Sequence, residues 1–183
     1  MNMNLTKTIT AWASAAMLCS VMFSTSAVAQ GTSKLTDPEI ASVAVTANQV
    51  DISYAEVAQK KSKNADVLKF AQTMSNDHKA IIAKAAALCK KLGVTPKDNS
   101  VSKKLNSDAA KTRKMLNSKS GEAFNKAYID NEVAYHKAVI SVVEGVLVPQ
   151  AQNAELKQLL QSVVPALKEH LMHAEMVQKE FTK

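Results

Sequence analysis

Four long stretches of this chain repeat apolar residues in alternating steps of three and four. That rhythm makes an amphipathic helix the expected element for each. The stripes run from Ile40 to Ala58, from Val67 to Leu92, from Phe124 to Leu147 and from Leu156 to Phe181. The punctuation between them is helical too. Thr36 and Glu39 are spaced as a capping box, with Pro38 in the first turn, where a missing N–H costs nothing. Lys60 to Asn64 is a polar turn in which Asn64 can cap the second helix. Gly93 and Pro96 stop that helix, and Pro149 to Asn153 forms the turn before the last. Pro165 falls inside the fourth stripe, where it removes one backbone bond and is expected to kink the helix around Gln161.

Composition agrees with this reading. Four Gly and four Pro in 183 residues are too few for the many turns of a sandwich or barrel, and 46% apolar residues argue against wholesale disorder. The turns on either side of the middle are short, so helices one and two, and helices three and four, must be antiparallel neighbours. The 28 residues from Gly93 to Ser120 are long enough to run the length of a bundle. Val101, Leu105, Ala109 and Leu116 within them space as a short extra helix. The fold expected is all-α: a ferritin-like four-helix bundle with a long crossover between its second and third helices. A plain up-down bundle with an elaborated loop is the alternative.

The N-terminus reads as an address. Lys7 is the only charged side chain before Lys34, an apolar stretch spans Ile9 to Phe23, and Ala27 and Ala29 form a small-x-small cleavage pattern. The apolar stretch is shorter than the roughly 20 residues a membrane span needs. Residues 1–29 are thus expected to be a cleaved signal peptide and residues 30–183 a single domain without a membrane span. The destination is periplasmic, with outer-membrane association as the alternative. Cleavage removes Cys19 and leaves Cys89 alone, which rules out an internal disulfide and suggests a buried, inert thiol.

Polar residues inside the apolar stripes carry the functional signal. His78, His136 and His170 stand where three different helices call for a hydrophobe. Asp51 lies beside the stripe of the first helix, and Glu132 is one turn before His136 on the same face. Burying such groups without partners costs on the order of 2–7 kcal/mol each. Two arrangements relieve that cost. One is a single transition-metal ion (zinc, iron, copper or manganese) held by Asp51, His78, His136 and His170, with Glu132 as a substitute ligand. The other is a closed hydrogen-bond network among the same groups and nearby tyrosines. A di-iron centre requires Glu-x-x-His on two helices, and Ser75, Val133 and Leu167 occupy the positions three before the histidines. His173 lies at the edge of its stripe and is expected to face solvent.

From Lys84 to Lys119 ten basic residues face only Asp98 and Asp108, so the crossover carries much of the net charge of +7. The second functional reading is therefore a metal-free interaction protein that docks on an anionic envelope surface or partner through that crossover. The secretory address argues against nucleic acid. Neither reading specifies catalysis, a substrate or an oligomeric state.

Ala58, Phe70-Ala71-x-x-Met74-x-x-Asp77-His78, Phe124-x-x-x-Tyr128 with His136 eight residues later, and Pro165-x-Leu167-x-x-His170-x-x-x-Ala174 together resemble the bacterial domain-of-unknown-function 4142 family. The resemblance spans about Asp37 to Val177. It implies an exported ferritin-like protein, often labelled a membrane or outer-membrane protein, with histidines at 78, 136 and 170, and it implies no established reaction. The chain departs from the family pattern at Asp51, where Glu is usual, and at Asn125, where Asp usually follows the Phe.

Overall fold

The computed structural model describes residues 34–182. The expected signal peptide lies outside them. Helix α1 (Asp37–Lys61) begins at Thr36, whose N–H and hydroxyl both donate to the Glu39 carboxylate, at 3.0 and 2.7 Å. Helix α2 (Ala65–Leu92) is capped by Asn64, whose side-chain oxygen accepts from the N–H groups of Asp66 and Val67, each at 3.0 Å. It stops at Gly93, which takes the left-handed φ of 64° that side chains resist. Helix α3 (Ser100–Asn117) fills the crossover, and α4 (Gly121–Val142) follows. A π-turn (Val143–Leu147) and the short α5 (Val148–Gln150) prolong α4 before α6 (Ala154–Gln178).

Helices α1 and α2 pack as one hairpin and α4 and α6 as another, while α3 lies along α1. Hydrogen bonds pin the ends. At one end of α1 the Asp37 carboxylate accepts from the backbone N–H groups of Gln152 and Asn153 at 2.8 and 2.9 Å, and Lys97 N–H donates to the Pro38 carbonyl at 2.9 Å. At the other end Lys61 donates to the Asn117 carbonyl at 2.6 Å and Ser62 to Asn125 at 2.8 Å. Helix α3 therefore carries the chain from one end of the bundle back to the other, and α4 runs antiparallel to α1. The fold is an all-α four-helix bundle, two hairpins joined by a helical crossover.

Several local expectations are corrected. The extra helix is 18 residues long, five turns rather than a short piece. Pro149 does not open a turn: the helix runs on to Gln150 and only residues 151–153 are non-helical. The π-turn explains this, since its wider spacing displaces the carbonyl that a proline ring would otherwise strike. Cys89 is half-buried rather than a core thiol, because α2 has no buried residue beyond His78. His173 is half-buried and meets the Phe70 ring edge-on, with centroids 5.1 Å apart.

The core divides in two along the bundle axis. One apolar cluster gathers Tyr54, Phe70, Met74, Phe124, Tyr128 and Ala174. The other gathers Ile40, Val43, Ile140, Leu147, Leu160 and Leu167. On α4 and α6, His136 and His170 fall in sequence where one cluster gives way to the other, Asp51 and Glu132 adjoin the border residues Val50 and Val133 of the first cluster, and His78 follows its last α2 residue. A buried polar layer therefore sits between two apolar ones.

Candidate metal centre

Each main helix of the bundle sends a polar side chain into that layer: Asp51 from α1, His78 from α2, Glu132 and His136 from α4, His170 from α6. All five are buried, and none is more than 4% exposed. The nitrogens of His78, His136 and His170 lie within 4.8 Å of one another, as do ligand atoms of Asp51, Glu132 and His136. The Asp51 Oδ2 atom stands 3.3 Å from His78 Nε2 and 3.5 Å from His136 Nε2, and Glu132 Oε2 stands 3.7 Å from His136 Nδ1. The five residues expected from sequence thus meet in one place.

Hydrogen bonds on the far side of each ring decide which nitrogen carries the proton. His78 Nδ1 lies 2.7 Å from Asn48 Oδ1. The Asn48 amide nitrogen donates to the Ala44 carbonyl at 2.8 Å, so the oxygen must face the histidine. His136 Nδ1 lies 3.0 Å from the Glu132 backbone carbonyl, and His170 Nε2 lies 3.0 Å from Asp77 Oδ2. In every case the outer partner is an acceptor, so the outer nitrogen is the N–H donor. The inner nitrogens, Nε2 of His78 and His136 and Nδ1 of His170, keep their lone pairs and are buried without a hydrogen-bond partner. Both oxygens of Asp51 and both of Glu132 are in the same condition. Three imidazole lone pairs thus lie close together, with Asp51 Oδ2 against two of them.

Electrostatics follow from that crowding. Burial drives the Asp51 carboxyl up to about 8, and burial with Asp51 beside it holds Glu132 well above the ordinary carboxylate range. Burial, aided by the neighbouring His136 and His170, holds His78 down to about 2. Burial also lowers His136, to about 4, against the pull of its backbone bond to Glu132. Without a cation, His78 and His136 stay neutral and the Asp51 and Glu132 carboxyls stay protonated. Two carboxyl protons satisfy at most two of the three inward imidazole nitrogens, so protons alone leave the layer incompletely paired.

Periodicity did not assign roles to Asn48 and Asp77, the acceptors behind two of the rings. Asn48 is three residues before Asp51 and shares its side of α1, and Asp77 adjoins His78 in sequence. A search for acceptors one turn from, or next to, a stripe residue would have flagged both.

The fold and this layer together define a class: an all-α bundle that closes on three histidines and two carboxylates. The chain belongs to the family described as Domain of unknown function (DUF4142), whose profile matches residues 23–177. No curated protein and no solved structure matches it.

Proposed function

We propose that this protein is an exported, ferritin-like bundle that holds one divalent transition-metal ion at Asp51, His78, His136 and His170, with Glu132 completing the shell. The observation that carries the reading is the convergence of three imidazole lone pairs, two of them on the Asp51 carboxylate, each imidazole turned inward by an acceptor behind it. Metal-ligating histidines are oriented in this way. Distances support it as well. Nitrogen and oxygen ligands about 2.0–2.1 Å from a tetrahedral ion lie about 3.3–3.4 Å apart, and Asp51 Oδ2 is 3.3 and 3.5 Å from its two imidazole neighbours. Charge agrees: two carboxylates and three neutral imidazoles balance one dication. Zinc, iron, copper and manganese all accept this donor set. Enclosure of all five donors favours retention of the ion over turnover, so the role we assign is metal holding in the cell envelope.

Titration of metal-stripped protein with Co²⁺ tests this reading. A tetrahedral or five-coordinate nitrogen and oxygen site is expected to give visible absorption that saturates at one ion per chain. That absorption should vanish in the His78→Ala/His136→Ala double variant. Saturation that is unchanged in the variant would rule the site out.

A second reading rests on the exposed lysines of α3, Lys103, Lys104, Lys111 and Lys114, as a docking face for an anionic envelope surface. Two of them already pair with Asp108, Lys104 at 2.5 Å and Lys111 at 3.1 Å, which reduces the charge on offer. Binding to anionic vesicles that disappears with salt and on charge reversal at Lys103 and Lys114 would support it, and salt-insensitive binding would not.

A further inference from the structure

The five inward donors are equally buried, but their outer partners are not alike. His78 leans on the half-buried Asn48 amide, and His136 on a backbone carbonyl within its own helix. His170 alone leans on a charged side chain that is open to solvent. The Asp77 carboxylate is 50% exposed, while the His170 side chain is 5% exposed. The His170 imidazole therefore stands between the exposed Asp77 carboxylate and the polar layer, with an unpartnered Nδ1 on its inner side and the aspartate on its outer side.

We propose that Asp77 is the capture residue of the metal site and that His170 is its gate, so that ions enter and leave between α2 and α6. The proposal rests on the metal-holding reading above. A dication approaching this face first meets an exposed carboxylate. Swinging the His170 ring outward breaks one hydrogen bond, to Asp77, and brings the Nδ1 lone pair to the captured ion. The Nε2 proton stays in place throughout. The return swing delivers the ion to His78, His136 and Asp51 and restores the bond to Asp77. Opening at any other donor is harder. Asp51, Glu132 and His136 are at most 1% exposed, and His78 is tied through Asn48 to the backbone of α1. A surface charge at the mouth of an enclosed site raises the local cation concentration and the association rate, and salt screens the effect.

Stopped-flow uptake of Co²⁺ by the metal-stripped protein, followed by release to a chelator, tests the proposal. Asp77→Asn keeps an oxygen to accept from His170 and removes only the charge. It is expected to slow uptake by about tenfold at low salt, to abolish most of the salt dependence of uptake, and to leave the stoichiometry unchanged. Asp77→Glu should restore fast, salt-sensitive uptake. Asp66→Asn, which removes a charge from the first turn of the same helix, should leave the rate as it is.

Unchanged uptake in Asp77→Asn with faster release would overturn the proposal, because it would mean that Asp77 only orients His170. Equal slowing in Asp66→Asn would also overturn it, because the effect would then belong to net charge and not to a gate. If the wild-type protein takes up no Co²⁺, the metal reading itself falls, an outcome distinct from both of these.

Discussion

At the scale of single residues, Asp51 is the most exposed to test. Its Oδ2 lies 3.3 and 3.5 Å from two imidazole lone pairs, and in the metal-free protein the protonated carboxyl has a single proton to offer the two. Asp51→Asn replaces an oxygen with an N–H₂ group that can donate to an imidazole. Urea unfolding in the presence of a chelator should show the variant more stable than wild type by about 1–3 kcal/mol. The same variant should lose most of its affinity for metal. A metal-free variant less stable than wild type would show that Asp51 already has a satisfactory partner.

The pH dependence of the metal-stripped protein follows from the same groups. His78 and His136 titrate at about 2 and 4 when folded and near 6.5 when unfolded, so their contribution to stability is complete above 6.5 and falls away in acid. Asp51 keeps its proton up to about 8 when folded but loses it near 3.8 when unfolded, so its contribution falls as pH rises between those values, and Glu132 moves in the same direction. Above about pH 7.5, where the unfolded histidines have lost almost all their protons, the carboxyls dominate. Stability of the stripped protein should fall there by about 1–3 kcal/mol per pH unit, for one to two retained protons, read as a declining unfolding midpoint. A flat or rising midpoint in that window would contradict the raised carboxyl values. Metal binding displaces the protons and should remove the decline.

At the scale of elements, capping chemistry and apolar rhythm account for most of the helix boundaries. Asn64 and Gly93 bound α2 because one side chain satisfies two free N–H groups and the other residue tolerates a left-handed turn. Both are readable from sequence because the cause is local. A methyl group at Gly93 meets no neighbour within 4 Å, so Gly93→Ala is a clean probe of backbone strain at φ 64°. It should cost about 1 kcal/mol in urea unfolding, and a neutral effect would mean that the helix end relaxes to another conformation.

What local rules could not supply is also specific. Pro149 reads as a breaker, and only the π-turn before it lets the helix continue. Ile81, Ala85, Leu88 and Leu92 continue the stripe of α2 beyond His78, yet none is fully buried. Periodicity marks which face of a helix is apolar, and the extent of its burial depends on which neighbour covers it. For the same reason Cys89 on that segment is half-buried, where its spacing alone suggests a core thiol. The histidines at 78, 136 and 170 were legible because each interrupts an apolar stripe. The roles of Asn48 and Asp77 were not, because polar residues outside the stripes are common and only the rotation of each helix picks out these two.

At the scale of the whole molecule, a polar layer between two apolar ones makes the site part of the core. Protons leave that layer incompletely paired, and one dication would neutralise its two carboxylates and engage its free lone pairs. Metal should therefore stabilise the entire bundle, by about 2.7 kcal/mol when the free ion is at a hundred times its dissociation constant. The most direct test is elemental analysis of protein purified without a histidine tag. The account predicts one divalent transition-metal ion per chain, and its loss in the His78→Ala/His136→Ala variant. Substoichiometric metal that the double substitution leaves unchanged would contradict it.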